Sequence, residues 1–289
     1  MSQVFTGQNV NFSKIATGTP ASFCRGGSGV SIDVDPHLIV KSLVGSKRHV
    51  IPGLEEVTGT FSGVVGVAKT DLAKFFPTTA GQTVADFPDF IVEVDDATTG
   101  AEWILTTCQP SSAKLSFTDG PDAELECEFE VKAVWLDYQA IGTDIPVYNS
   151  YLNYAPQHCV IQVGGADADV LSFDLSIDLG TEMFTPKNTK AVTEKRRPDA
   201  YYITKSDITL SIVTSDILVL NADRPSDTIA AGDLTITLNN GTGAQDILIT
   251  CDSFICIKAG VKCEAEGMVG FEHEFIPSTG DTHNRVTFA

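Results

Sequence analysis

The stretch Glu124-Leu125-Glu126-Cys127-Glu128-Phe129-Glu130-Val131 alternates a carboxylate with an apolar side chain without a break. Successive side chains of a strand point to opposite faces, so this period of two predicts a β-strand. Glu124, Glu126, Glu128 and Glu130 then share one face, and Leu125, Cys127, Phe129 and Val131 share the other, the core side. Four carboxylates along one strand repel one another. Thr, Ser or Lys would give an equally wet face without that cost, so the acidic row reads as a functional surface.

Upstream of this strand the same period recurs. Ser31-Ile32-Asp33-Val34-Asp35 alternates with Ile32 and Val34 inward, and Val57 to Val65 is rich in β-branched residues and glycine. Lys69 to Phe76 has helical spacing and is stopped by Pro77, which predicts a short helix. Phe90–Val94 and Glu102–Cys108 flank the polar tip Asp95 to Gly100, a predicted hairpin. Residues 1 to about 28 are polar, end in a glycine run, and read as an arm with little core.

The pattern then begins again. Ser176-Ile177-Asp178 repeats Ser31-Ile32-Asp33, and Ile247 to Cys251 repeats Ile104 to Cys108. Ser215-Asp216-Ile217 stands in the place of Thr70-Asp71-Leu72. Glu272-His273-Glu274-Phe275 stands in the place of Glu126-Cys127-Glu128-Phe129. Shared order and nearly constant spacing predict a tandem duplication, with domains at 1–145 and 150–289. The fold expected is mainly β: two copies of a β-sandwich or partial barrel, each of six or seven short strands with one short helix. A single large β-sandwich is the alternative.

Composition restricts the chemistry. Of 289 residues, 38 are acidic and 19 basic, a net charge of -19, which argues against a clamp on nucleic acid phosphates. It suits a surface that a polyanion passes without sticking. Seven cysteines, at 24, 108, 127, 159, 251, 256 and 263, mostly sit in apolar strand patterns and form no CxxC. They read as reduced core thiols, with no metal site expected. The first residues lack a basic segment followed by an apolar run, and no long apolar stretch occurs, so synthesis in a reducing cytoplasm and no membrane span are expected.

Catalytic arrangements do not emerge. Gly63 to Thr70 lacks the glycine-lysine adjacency of a phosphate loop, and His273-Glu274 lacks a second histidine. Asp167 and Asp169 in a glycine-bearing loop read as solvated. The expectation is a protein that is not an enzyme and needs no cofactor. Basic residues, by contrast, are concentrated: Lys187, Lys190, Lys195, Arg196 and Arg197 fall within one loop, and Lys41, Lys47 and Arg48 occupy the matching loop of the first copy. Basic loops on an acidic protein suit the acidic surface of another copy.

A duplicated β domain with a basic variable loop, one short helix, a hairpin and an acidic last strand resembles the tail tube proteins of long-tailed bacteriophages. The run Val50-Ile51-Pro52-Gly53-Leu54-Glu55-Glu56-Val57-Thr58-Gly59-Thr60-Phe61 is particularly similar to a glycine-bearing loop and strand of that family. The resemblance covers both halves and rests on element order and composition. It implies about four strands per domain in a ring-shaped inner sheet, six domains per ring, and rings stacked into a hollow virion tube with an acidic lumen that conducts double-stranded DNA. Carried onto this chain, it puts Glu124, Glu126, Glu128, Glu130, Glu272 and Glu274 on the lumen wall. Loops 36–52 and 181–200, with their lysines and arginines, would reach an adjacent ring, and the arm 1–28 and tail 281–289 would become ordered on stacking. Partners implied are further copies of the chain, tail terminator and tail tip proteins, and a tape measure protein in the lumen. Two domains per chain suggest three chains per ring, with six chains left open. The rival class is a two-domain β adhesin or capsid decoration protein gripping a ligand through Tyr148, Tyr151, Tyr154, Tyr201 and Tyr202.

Overall fold

The computed structural model describes residues 10–16, 19–21, 23–24, 26–41, 49–51, 53–77, 84, 87–95, 100–118, 124–140, 159–185, 197–215, 234–239, 247–262, 269–278 and 286–289. The first half contains β1 (Val10–Ala16), β2 (Thr19–Ala21), β3 (Gly29–Asp35), β4 (Ile39–Lys41), β5 (His49–Ile51) and β6 (Glu56–Val65). It continues with α1 (Lys69–Phe75), β7 (Asp89–Asp95), β8 (Gly100–Thr118) and β9 (Glu126–Ala140). The second half opens with β10 (Cys159–Val163), β11 (Ala166–Ala168), β12 (Val170–Asp178), β13 (Thr181–Phe184), β14 (Ala200–Ile203) and β15 (Asp207–Thr214). It closes with β16 (Leu234–Leu238), β17 (Ile247–Cys251), β18 (Phe254–Lys262), β19 (Gly270–Pro277) and β20 (Val286–Phe288). The chain is mainly β, with α1 the one helix among the described residues. The second copy's expected helix, around Ser215-Asp216-Ile217, falls largely outside them.

Eight strands pair side by side in the order β3-β6-β9-β8-β12-β15-β19-β18, every neighbour antiparallel. Two sets of four follow the same order, and their registers match apart from single-residue shifts at bulges. Phe61 lies opposite Phe129 in the first set, and Leu210 opposite Phe275 in the second. Lys114 lies opposite Glu128, and Lys258 opposite Glu274. Matching registers equate β3 with β12, β6 with β15, β9 with β19, and the end of β8 with β18. The sets are joined by β8 and β12, which place Leu115 against Leu175 and Phe117 against Phe173.

Behind this sheet lies a second layer. In the first half, β2, β1 and β7 extend from the opening residues of β8. In the second half, a separate sheet runs β11-β10-β16-β17-β20. Apolar residues at period two supply the core: Phe129 stacks on Phe75 of α1 with centroids 3.9 Å apart, and Phe61 meets Phe90 of β7 at 5.0 Å. Lys14 of β1 forms an ion pair with the buried Asp71 of α1, tying the helix to the outer layer. A bulge in β6 between Phe61 and Val64 holds Gly63 at φ +56°, and a Cβ there would collide with Ser28.

Three expectations are corrected. The described part of segment 1–28 is not an arm with little core, because β1 pairs with β7 and buries Phe12 against Phe61. The C-terminal segment is likewise built in: β20 pairs with β17, and Phe288 packs on Phe76. The strands are also not all short, since β8 runs 19 residues and β9 15. Both stay continuous because β8 serves two layers. It pairs with β7 through Leu105 and with β12 from Ser112, and changes direction between them at Thr107 (φ +54°) and a bulge at Pro110 to Ser112.

Candidate functional site

The open face of the eight-stranded sheet carries the polar half of every alternating strand. One row crosses six strands as Glu126, Ser116, Asp174, Ser211, Glu274 and Lys258. Flanking rows add Glu130 opposite Ser112 and Thr60, then Asp178 opposite Asp207. Asp33 and Asp35 of β3 and Glu272 of β19 lie on the same face by parity. The burial contrast is sharp along the opening stretch: Glu126 and Glu128 are exposed, whereas Cys127, Phe129 and Val131 are buried. Glu124, Glu130, Glu272 and Glu274 are partly exposed. All six carboxylates expected to share a wet face are therefore placed where their side chains reach solvent.

Lysines sit among them. Lys114 Nζ lies 3.1 Å from Asp174, Lys258 Nζ 2.9 Å from Glu272, and Lys132 Nζ 2.6 Å from Glu56 and 3.7 Å from Glu130. Lys205 bridges Asp178 and Asp207 at 2.7 and 2.9 Å. Carboxylates still outnumber these cations, so the face is acidic with its closest repulsions relieved. Lys114 and Lys258 escaped the sequence reading, although Ala113-Lys114-Leu115-Ser116-Phe117 alternates as clearly as the acidic strand. Pro110 and the bulge beside it hide the fact that β8 continues past Cys108.

Electrostatics follow these contacts. Burial pushes the Glu56 carboxyl up, but hydrogen bonds and charge from Lys132 and His37 outweigh it and hold the group below its usual value. Asp178 is held low chiefly by its hydrogen bond from Lys205. The Lys258 ammonium is held up by its hydrogen bond and charge contact with Glu272.

The segments between the first two strands of each set fold as two-stranded ribbons, β4 with β5 and β13 with β14. Lys41 lies in β4, opposite His49. Lys47, Arg48, Lys187, Lys190, Lys195 and Arg196 lie outside the described residues. Arg197 is placed just before β14 of the second ribbon, with its guanidinium carbon 2.9 Å from the centroid of the Trp135 ring in the same chain, a cation–π contact. That ribbon is anchored on the first half: Thr181 Oγ1 donates to the Pro110 carbonyl at 2.8 Å, and Tyr201 is buried beside Glu56. Tyr202 donates to Glu182 at 3.1 Å, and Tyr148, Tyr151 and Tyr154 lie outside the described residues. Cys24, Cys108, Cys127, Cys159, Cys251 and Cys256 are free thiols. Among the described residues, no helix is long and apolar enough to cross a membrane.

No protein-family model matches the chain, and no curated protein matches it either.

Proposed function

We propose that this chain is the structural subunit of a hollow tube of the kind formed by phage tail tube proteins. In this reading it is a virion protein whose rings stack and whose acidic lumen conducts double-stranded DNA. One observation carries the reading: a sheet of two four-strand sets in the same order, polar on its open face, covered on the other, with both outermost edges unpaired among the described residues. A sheet whose two edges carry no partner among the described residues invites further strands. Closing it on other copies satisfies both edges, and because the second layer covers the apolar face, closure turns the acidic face inward.

The geometry suits three chains. Three times eight gives 24 strands, which at a spacing of ~4.8 Å and a tilt of ~40° close at a diameter of about 48 Å. Barrels of 16–18 strands already leave an aqueous channel. Repulsion between the carboxylate rows and phosphates would keep the passing duplex from binding. Tail terminator, tail tip and tape measure proteins are the further partners of such a tube, and the basic residues of segments 36–52 and 181–200 are its candidates for contact with the next ring. The reading requires no catalytic group and no cofactor.

The surface-binding alternative relied on aromatic loop tips. Burial of Tyr201 and the Tyr202–Glu182 hydrogen bond leave it less to work with. Electron microscopy of the purified protein separates the two: rings or filaments with a central channel are expected, and compact monomers at every concentration would end the tube reading.

A further inference from the structure

The two bare edges are not generic. Each corresponds, by register, to a strand whose equivalent edge is already paired inside the chain. Matching β3 to β12 equates Val30, Ile32 and Val34 with Leu175, Ile177 and Leu179, since Ser31 lies opposite Thr60 and Ser176 opposite Thr209. The inner-chain members are buried by β8. Leu179 is 0% exposed, and its N–H donates to the Ser111 carbonyl at 2.9 Å, whereas Val34 is 46% exposed. At the opposite edge, β18 corresponds to the end of β8. Phe117 is 5% exposed, but its equivalent Val261 is 63% exposed.

We propose that β18 of one copy pairs antiparallel with β3 of the next copy, in the register that β8 and β12 use within the chain. This rests on the tube reading only in requiring copies to associate edge to edge. Transferring the pairs Lys114–Ser176, Leu115–Leu175 and Ser116–Asp174 gives Lys258 opposite Ser31, Ala259 opposite Val30 and Gly260 opposite Gly29 of the next copy. Val34 and Val261 are then covered, and Lys258 gains Asp33 of the next copy as a diagonal neighbour.

The two kinds of junction differ in strength. Inside the chain, Phe117 and Phe173 stack at 5.7 Å, and Leu115 meets Leu175. Between chains the same places fall to Val261 against Ser28 and Ala259 against Val30, with far less apolar area to bury. A ring built this way alternates strong and weak junctions, and it opens between chains before any chain unfolds.

Paired disulfides read the register. Residues directly opposite across an antiparallel pair have Cα atoms about 4.5–5.5 Å apart, within reach of a disulfide, whereas a displacement of four residues puts them roughly 13 Å apart. Mild oxidation of assembled Ser31→Cys/Lys258→Cys protein should give a covalent ladder on a denaturing gel, ending at three chains. Asp35→Cys/Lys258→Cys and each single variant should not. Cross-linking of the Asp35 pair in place of the Ser31 pair overturns the register. Rings visible by microscopy without cross-linking of the Ser31 pair overturn the β18–β3 junction but leave the tube reading standing. Failure of the unmodified protein to form any ring defeats both.

Discussion

Glu56 shows how a single carboxylate is set by its neighbours. It receives Lys132 at 2.6 Å and the His37 imidazole at 2.9 Å, at the end of β6 where the first ribbon rejoins the sheet. Its folded pKa lies below the ordinary value of 4.5. A group with a depressed folded pKa stabilises the fold above its unfolded pKa, and that contribution is lost as pH falls through the folded value. Glu56→Gln should therefore be less stable than the parent at neutral pH. The gap should shrink as pH drops below about 4.5, as read from denaturant midpoints at a series of pH values. A gap that stays constant with pH would mean that the Glu56 contacts carry no charge-dependent stability. The alternation around Glu126 and Glu128 was readable residue by residue. The pairing of Glu56 with Lys132 was not, because the two are 76 positions apart and meet only through the β6–β9 register.

At the scale of elements, the continuity of β8 through a bend matters most. Thr107 holds φ at +54°, a region that a β-branched residue occupies at a cost, and its N–H donates to Asp89 at 2.6 Å. The second half makes the same passage between layers at Asp252-Ser253, where β17 gives way to β18 and Ser253 holds φ +55°. The Thr107 side chain is exposed, so replacing it removes no core packing. Thr107→Gly should stabilise the fold by up to about 1 kcal/mol in chemical denaturation, as relief of left-handed strain outweighs the added freedom of the unfolded chain. A loss of stability would mean that the hydroxyl or the β-branch holds the bend. Helix α1 and the strands around it were legible from spacing and from Pro77. The link through Gln109 to Thr118 was not, since a proline and a bulge interrupt the period there and only pairing with β9 and β12 carries the strand across.

For the whole molecule, the charge of the open face is the property that bears on function. Lys114, Lys132 and Lys258 relieve the closest repulsions, and exposed Glu126 and Glu128 remain on β9, an inner strand of the sheet. If that face lines a channel, Glu126→Lys/Glu128→Lys should still fold and assemble, because both side chains are exposed and surface ion pairs contribute only about 0–1 kcal/mol each. Assembled variant protein should bind duplex DNA with a steep loss of affinity on raising salt, whereas the parent should not bind. Equal indifference to DNA in both would place these residues away from the transit path. The basic residues of the 181–200 segment belong to this scale too, since Lys195 and Arg196 remain candidates for contact with another ring while Arg197 is engaged with Trp135 in its own chain.

The sequence by itself determined the mainly β class, which side is wet in the strands of clean alternation, and that spacings in the second half echo those of the first. These are periodic properties, carried by neighbours two residues apart along the chain. Only the tertiary structure decided that the two halves share one sheet, that β8 joins them, that lysines answer the acidic rows, and that Val10–Ala16 and Val286–Phe288 belong to the fold. Strand order and register depend on contacts between residues far apart in sequence. A local pattern fixes which face of a strand is buried but not which strand lies beside it.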